Sequence, residues 1–441
     1  MSPGERRLHP LTPLAKAWTA MVALAFLAVD NVGHPTSVTT SAVVVIAVIA
    51  AALGMGAAGW WVTWYRLDAT ELVVRSGVLV RRTRHLRLDR LQAVDVVRPV
   101  MARVFGLAEL RIEVAGGRSS KASLAYLSEP TARRLRAELL ARAAGIGPAT
   151  PEAPEQVLLT VPPLLLARSI LADLRLLSAG LVSIGLVVVV VRLPQPGLAV
   201  AVLPAVLAAG SVVFREFARH FDFTVAQSPD GLRLRHGLLE HRAQTVPPGR
   251  VQAVRMVQPA LWRWAGWARL EINVAGYVGS EKSRAQTVVL LPVGSRELAR
   301  ALAGLVLPGP GPFGLPMEPA PRRAAWRQPW GWWVLGVAVG AEVAVVRRGW
   351  WRRRTDLIAH GKTQSLRLTQ GPWQRALGLA SIHLDSTPGP VHVVAAHRDA
   401  LAARRWVEEE ARRSRDARTR SAPEKWMLPP QAGPKGSPPV G

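Results

Sequence analysis

Gly77-Val-Leu-Val-Arg-Arg82 leads through Arg90-Leu-Gln-Ala-Val94 to Arg103-Val-Phe-Gly106, and the chain writes this block three times. The second copy runs from Gly237 through Arg250-Val-Gln-Ala-Val254 to Arg263-Trp-Ala-Gly266. The third runs from Gly349 through Lys362-Thr-Gln-Ser-Leu366 to Arg375-Ala-Leu-Gly378. In every copy the glutamine (Gln92, Gln252, Gln364) lies 15 residues after the first glycine, and the second glycine (Gly106, Gly266, Gly378) lies 29 after it. Glycine, glutamine and arginine keep register without a gap, which a biased composition echoing itself does not do. An internal repeat of this kind is read before any single segment.

Each copy reads as strands closed by a helix. Gly77, Gly237 and Gly349 stand between Arg-bearing segments and are expected in turns at positive φ. Behind the second glycine come Leu110-Arg-Ile-Glu-Val114, Leu270-Glu-Ile-Asn-Val274 and Ile382-His-Leu-Asp385. Their alternation gives a sheet with one buried and one wet face. Helical segments follow at Ser128-Glu-Pro130, with Ser as cap and Pro in the first turn, at Ser295-Arg-Glu297, and at His397-Arg-Asp-Ala400.

The chain has 441 residues and a formal net charge of +26, which points to polyanionic company such as nucleic acid or an anionic membrane surface. It has no cysteine, so no disulfide framework, thiolate metal site or thiol nucleophile exists. Four apolar runs set the class: Pro13–Val29, Val38–Tyr65, Leu176–Val191 and Gly197–Phe214. The last three carry no charge, and Trp60, Trp61 and Trp64 stand at one end of the second like an interfacial belt. Runs of roughly 17–25 apolar residues suit a bilayer core. The first and third are short, and Lys16 and Arg175 are placed to snorkel to the interface.

These features predict an α+β membrane protein with two transmembrane helical hairpins and three repeated domains. The expected order is a cytoplasmic N-terminus over 1–12, a hairpin over 13–65, and a first domain over 61–144. A linker and amphipathic lead-in follow over 145–170, a second hairpin over 171–216, and a second domain over 218–307. A Pro/Gly linker over 308–328, a third domain over 329–415 and a disordered tail over 416–441 complete the chain. Trp330–Val346 is apolar enough to pass for a fifth span. Yet Trp333 lies 272 residues after Trp61, as Gly349 does after Gly77, so the register makes it the opening strands of the third domain. The loop 30–37 has no Lys or Arg and the second hairpin turn only Arg192, whereas the repeats are dense in Arg. The expected location is therefore the cell membrane, multi-pass, with termini and repeats cytoplasmic.

The block Val73–Val97, with Phe105–Ile112 behind it, resembles the bacterial pleckstrin-homology-like membrane proteins of the YdbT type. Leu8-His-Pro-Leu-Thr-Pro-Leu14 is similar to that family's entry segment, and Thr363-Gln-Ser-Leu-Arg-Leu-Thr-Gln-Gly-Pro-Trp-Gln-Arg375 is similar again. The resemblance covers nearly the whole chain apart from the tail. It implies that each domain is PH-like, a bent antiparallel sheet closed by a C-terminal helix, carried on membrane hairpins. It further implies a role in envelope maintenance or stress tolerance. Lipid recognition by eukaryotic relatives does not carry over by fold alone.

The chemistry-bearing motifs are few. Gly54-Met-Gly56-Ala-Ala-Gly59 matches a dinucleotide fingerprint, but it lies inside an uncharged span where small residues serve helix packing. Gly309-Pro-Gly311-Pro-Phe-Gly314 is rich in Pro, which offers no backbone donors to a phosphate. His383 and Asp385 share one strand face without a third ligand, which reads as a wet sheet face; no metal or cofactor is expected. No paired carboxylates or nucleophile set stands out, so the chain reads as non-enzymatic. No nucleic-acid-binding motif accompanies the Arg residues.

The site residues singled out are Arg347, Arg348, Arg352, Arg353 and Arg354 with Trp350 and Trp351, which straddle the Gly349 turn. They read as a binding face for anionic inner-leaflet lipid or for an unidentified protein partner, set against a merely solvated positive surface. Trp373 adds to the aromatic content. Two functions compete: a membrane-anchored scaffold or binding protein, and a transporter component or membrane enzyme. The second requires ionisable groups inside the spans, and the second and fourth spans have none.

Overall fold

The computed structural model describes residues 6–10, 12, 38–68, 70–77, 81–88, 91–114, 121–143, 155–193, 196–228, 231–246, 248–275, 288–307 and 312–420. The expected first span, the loop over 30–37, the linker over 145–154 and the tail from 421 lie outside these residues. The chain divides into two compact units, residues 1–154 with 239–245, and residues 155–238 with 246–441.

The first unit opens on a two-residue strand, Arg6–Arg7, and the helix α1 (Val38–Val62). Six strands follow: β1 (Trp64–Leu67), β2 (Glu71–Ser76), β3 (Arg82–Arg87), β4 (Leu91–Pro99), β5 (Leu107–Val114) and β6 (Lys121–Ser128). Helix α2 (Glu129–Ala143) closes the repeat, burying Ala132, Leu135 and Leu139.

The second repeat has the same plan. A lead-in strand, Gln156–Thr160, precedes α3 (Pro163–Leu171), α4 (Leu174–Arg192) and α5 (Pro196–His220). Then come β7 (Thr224–Ser228), β8 (Gly231–His236), β9 (Glu240–Val246), β10 (Val251–Pro259), β11 (Trp267–Val274) and β12 (Val288–Ser295). Helix α6 (Arg296–Val306) follows, with Ser295 Oγ accepting from Leu298 N at 3.1 Å as the N-cap. Its buried residues, Ala299, Leu302, Ala303 and Val306, fall at helical spacing on one stripe.

The third repeat starts from Glu318–Pro319 and runs through β13 (Gly336–Val339), β14 (Val343–Arg348), β15 (Arg352–Ala359), β16 (Ser365–Thr369), β17 (Leu379–Asp385) and β18 (Val393–Asp399) to α7 (Ala400–Arg420). Asp399 caps this helix, taking the N–H groups of Leu401 and Ala402 at 3.1 and 3.0 Å. The helix passes the expected boundary at 415, because Arg418 reaches Thr363 O at 3.1 Å and ties down the added turn.

The repeats are not separate bodies. In the first unit β4 pairs antiparallel with β5 on one side and with β9, a strand of the second repeat, on the other. In the second unit β10 pairs with β11 and with β15 of the third repeat, making one sheet ordered β12-β11-β10-β15-β14-β13 with Glu318–Pro319 at its edge. A smaller sheet, β16-β17-β18, covers the other side of the third repeat.

This sharing explains why the opening of the third repeat reads as apolar as a membrane span. Alternate residues of a strand face opposite ways. Val343, Val345, Leu357 and Ala359 pack into the second repeat's core with Val254, Leu270 and Leu302. Their neighbours Ala344, Val346 and Ile358 pack the other way, against Ile382, Leu384, Val393 and Ala403. Both faces are buried, so no polar alternation survives.

Polar bonds fix the register of this double-faced sheet. Asp356 is fully buried and accepts from Arg255 Nε at 2.5 Å and from Arg348 Nε at 3.2 Å. Asn273, also buried, donates to Val391 O at 2.8 Å and accepts from Val391 N at 2.9 Å. Both bonds join the second repeat to the third. Asp356→Ala leaves Arg255 buried without its carboxylate and is expected to destabilise the full chain by about 3–5 kcal/mol. The double change Arg255→Met with Asp356→Leu should cost clearly less, because it removes the stranded charge. Denaturant unfolding of the detergent-solubilised chain checks this; equal losses would mean that the pair does not set the energetics.

Candidate membrane-facing site

The repeated glycines all lie at positive φ: 109°, 115° and 80° at Gly77, Gly237 and Gly349, and 65°, 70° and 61° at Gly106, Gly266 and Gly378. At Gly349 the constraint is also steric, since an added Cβ would press on the carbonyl oxygen of Arg352. The β14–β15 turn therefore closes tightly and carries Trp350 and Trp351 at its tip. Gly331, at φ 93°, admits Trp350: a Cβ there would stand 2.6 Å from Trp350 Cβ.

The structure splits the five arginines of the sequence reading. Arg348 turns inward to Asp356 and donates to His392 O at 2.7 Å. Arg347 donates to Val334 O at 3.1 Å. Arg352, Arg353 and Arg354 remain half-buried around the turn, and strand alternation places Arg353 on the face opposite the other two. Burial is the largest influence on each and lowers its pKa; neighbouring guanidinium groups, Arg263 beside Arg353 and Arg255 beside Arg354, push the same way. A guanidinium stays charged at neutral pH regardless. The Nε atoms of Arg352 and Arg353 are buried with no hydrogen-bond partner among the described residues.

This end of the third repeat lies beside the start of α4. After burial, Arg352 is governed by the carboxylates of Asp173 and Glu271, which raise its pKa, and by Arg269 and Arg175, which lower it. Asp173 is the N-cap of α4. Trp262 Nε1 donates to Ser169 O at 2.9 Å, fastening the one-turn helix Ala260–Trp264 to α3, and Arg263 donates to Trp350 O at 2.7 Å. Trp264 beside it is 90% exposed.

Sequence reasoning missed most of this aromatic rim. Trp330, Trp332, Trp333, Trp350 and Trp351 form a chain of rings with successive centroids 5.7–6.5 Å apart. Trp326, Trp330, Trp333, Trp350 and Trp351 are all exposed. In the first two repeats the segment between the lead-in strand and the first strand of the repeat holds the apolar helices. In the third it holds two short 3-10 turns, Arg322–Trp326 and Trp332–Val334. The tryptophans thus sit where the other repeats send helices out, and the alignment of the three lead-in segments was the signal that would have found them. Trp373 is exposed on another one-turn helix, Pro372–Ala376.

The first repeat has its own basic hollow at the corresponding turn. Arg7, Arg75 and Arg81 line a cavity of about 310 Å³ with Trp61, Val62, Trp64 and Ser76, at the C-terminal end of α1. Arg7 stacks on Trp61 at 5.0 Å and Arg75 on Trp64 at 4.7 Å. Cation–π contacts of this kind hold each guanidinium in place.

The remaining sequence candidates are structural. Gln252 is buried and donates to Arg250 O at 3.2 Å, whereas Gln364 is exposed; the side chain of Gln92 lies outside the described residues. His383 meets Thr369 Oγ1 at 3.0 Å and Asp385 holds Arg367. Among the described residues no group of three potential ligands gathers for a metal ion.

One described helix, α4 (Leu174–Arg192), is long and apolar enough to cross a membrane. Its 19 residues span about 28 Å at 1.5 Å each, close to a hydrocarbon core. None of its side chains is buried.

A family model described as "Bacterial PH domain" matches residues 20–143, 172–310 and 288–411. The chain belongs to the bacterial PH domain family. It is similar to the protein described as "UPF0699 transmembrane protein YdbT" of Bacillus subtilis (strain 168), at 20% identity over 271 residues. That match covers 52% of this chain and 53% of the relative, so the chain spans about half the length of the curated relative it matches. No solved structure matches. The repeated antiparallel sheets with closing helices fit the family, and that relative is described as a transmembrane protein.

Gly349→Val should destabilise the chain by on the order of 1–3 kcal/mol, through the strained φ and the contact with Arg352 O. A lowered thermal midpoint, with a changed fluorescence of the Trp330–Trp350 cluster, is the expected result. An unchanged midpoint would count against the turn as the element that holds the cluster.

Proposed function

We propose that this protein is a non-enzymatic membrane scaffold that holds its PH-like repeats against the anionic inner leaflet. The observation that carries the reading is the third repeat's rim of exposed tryptophans and half-buried arginines, at the position from which the other repeats extend apolar helices. Tryptophan favours the bilayer interface, and each basic residue near an anionic surface adds about 1 kcal/mol. Such weak terms suffice for a domain already tethered by helices, because the tether raises its effective concentration. The hollow of Arg7, Arg75 and Arg81 supports the same preference for phosphate headgroups in the first repeat.

The chain lacks cysteine, so Trp351→Cys gives one labelling site for an environment-sensitive fluorophore. The full chain is then placed in nanodiscs of neutral or anionic phospholipid. The emission should shift to the blue with anionic lipid and return with added salt, since the Debye length falls to about 3 Å at 1 M. Arg352→Ser, Arg353→Ser and Arg354→Ser together should abolish the shift. Identical emission in both discs would remove lipid docking from the reading.

The scaffold has four spans, with both termini and all repeats in the cytoplasm. The support is the distribution of Arg, dense in the repeats and absent from residues 30–37. Single cysteines at His34 and Arg84 test it with an impermeant thiol reagent on whole cells. Position 34 should label and position 84 should not; the reverse pattern would invert the topology.

A further inference from the structure

Two strand pairings inside this chain follow one rule. The fourth strand of a repeat takes the third strand of the next repeat: β4 takes β9, and β10 takes β15. The registers coincide. Pro99 faces Glu240; the glycine spacings of 160 and 112 residues carry these to Pro259 and Arg352, which also face each other. The third repeat has a fourth strand too, β16, and among the described residues no third strand of another repeat pairs with it.

The edge of β16 shows what is missing. β10 is buried at all nine positions, whereas β16 is exposed at four of five. Among the described residues β16 pairs only with β17. Gln364, the counterpart of buried Gln252, lies open. Arg367 is the counterpart of Arg255, and where Arg255 meets the carboxylate of Asp356 across the sheet, Arg367 turns back to Asp385 of its own repeat at 2.5 Å. An unpaired strand edge is a template for another chain.

We infer that the open edge of β16 receives an extended acidic segment of a partner protein, which adds as an antiparallel strand with a carboxylate opposite Arg367. Charge selects the occupant. The first repeat's β3 is the corresponding third strand in a second copy of this chain. In the shared register it would set Arg84 opposite Arg367 and His85 opposite Leu366. Like charges facing each other across a sheet are destabilising. A partner carrying an acidic residue there, with an apolar residue opposite Leu366, reproduces the Asp356 and Leu357 arrangement that β15 offers to β10. Main-chain bonds then give affinity and the alternating side chains give selectivity.

The probe is a fluorescent peptide copying Arg352 to His360, with Arg353→Glu and Arg354→Glu to make it acidic and the Asp356 position kept. It is titrated onto the full chain in detergent and followed by anisotropy. Saturable binding is expected, weakened about fivefold when its aspartate becomes arginine. Arg367→Ser in the protein should erase that difference. Thr369→Cys, the only thiol in the chain, should form a disulfide with a peptide carrying cysteine at position 354 and much less with one carrying it at position 352. No binding, equal binding of both peptides, or trapping independent of register would overturn the inference. Oligomers that form without peptide and disappear on Thr369→Pro would overturn it as well, by giving the edge to a second copy.

Discussion

A strand with a neighbour on one side only leaves half of its backbone donors and acceptors unpaired, and this requirement organises the molecule. A three-stranded half-sheet exposes two such edges. This chain covers two of them by letting the second and third repeats each lend a third strand to the repeat before. The result is visible in β10, whose residues are all buried. It also changes the unit of folding. The segment 329–415 looks like a domain in sequence, yet its β15 is bonded to β10 along seven residue pairs from Ala253–Ile358 to Pro259–Arg352. Cutting the chain at 329 would expose that edge and strand Arg348 and Asp356 without Arg255.

Hydrophobic burial alone would tolerate a slip of two residues between β10 and β15, since the same faces would stay inside. The Arg255–Asp356–Arg348 cluster does not tolerate it. A buried charge is costly unless its partner is in place, so each wrong register leaves an unpaired ion. Asn273 adds a second check through both polar atoms of its amide, bonded to the loop before β18. Such groups contribute less to net stability than to the choice of one alignment among several apolar alternatives. The counterpart of Asn273 in the last repeat is Asp385, which is free of that duty and pairs with Arg367.

The repeat, the succession of strands and closing helix, and the turn glycines were legible because they are local. Gly77, Gly237 and Gly349 require positive φ, and the alternation behind Gly106, Gly266 and Gly378 requires a half-buried sheet. The sharing of strands between repeats was not legible. It depends on which edge meets which, and the only local sign was that Val343–Val346 lacks alternation, a pattern that fits a buried strand and a membrane helix equally well. The candidate site was half legible. The cluster around Gly349 was located, but sequence cannot tell that Arg347 and Arg348 spend their hydrogen bonds on Val334 O, Asp356 and His392 O. Nor does it show that Trp330 and Trp333 fold back on Trp350.

The third repeat keeps its closing helix α7, but its lead-in segment holds two 3-10 turns where the other repeats hold apolar helices. An apolar helix such as α4 is held in a bilayer by its whole length. A rim of tryptophans and arginines binds only at the interface, and each contact is weak and screened by salt. The difference is one of reversibility. Asp173 and Arg175 at the start of α4 act electrostatically on Arg352, so the rim lies beside the start of that helix. Under the proposed lipid docking, the contacts of the rim would decide only whether the repeat lies flat or lifts away, with lipid charge as the variable.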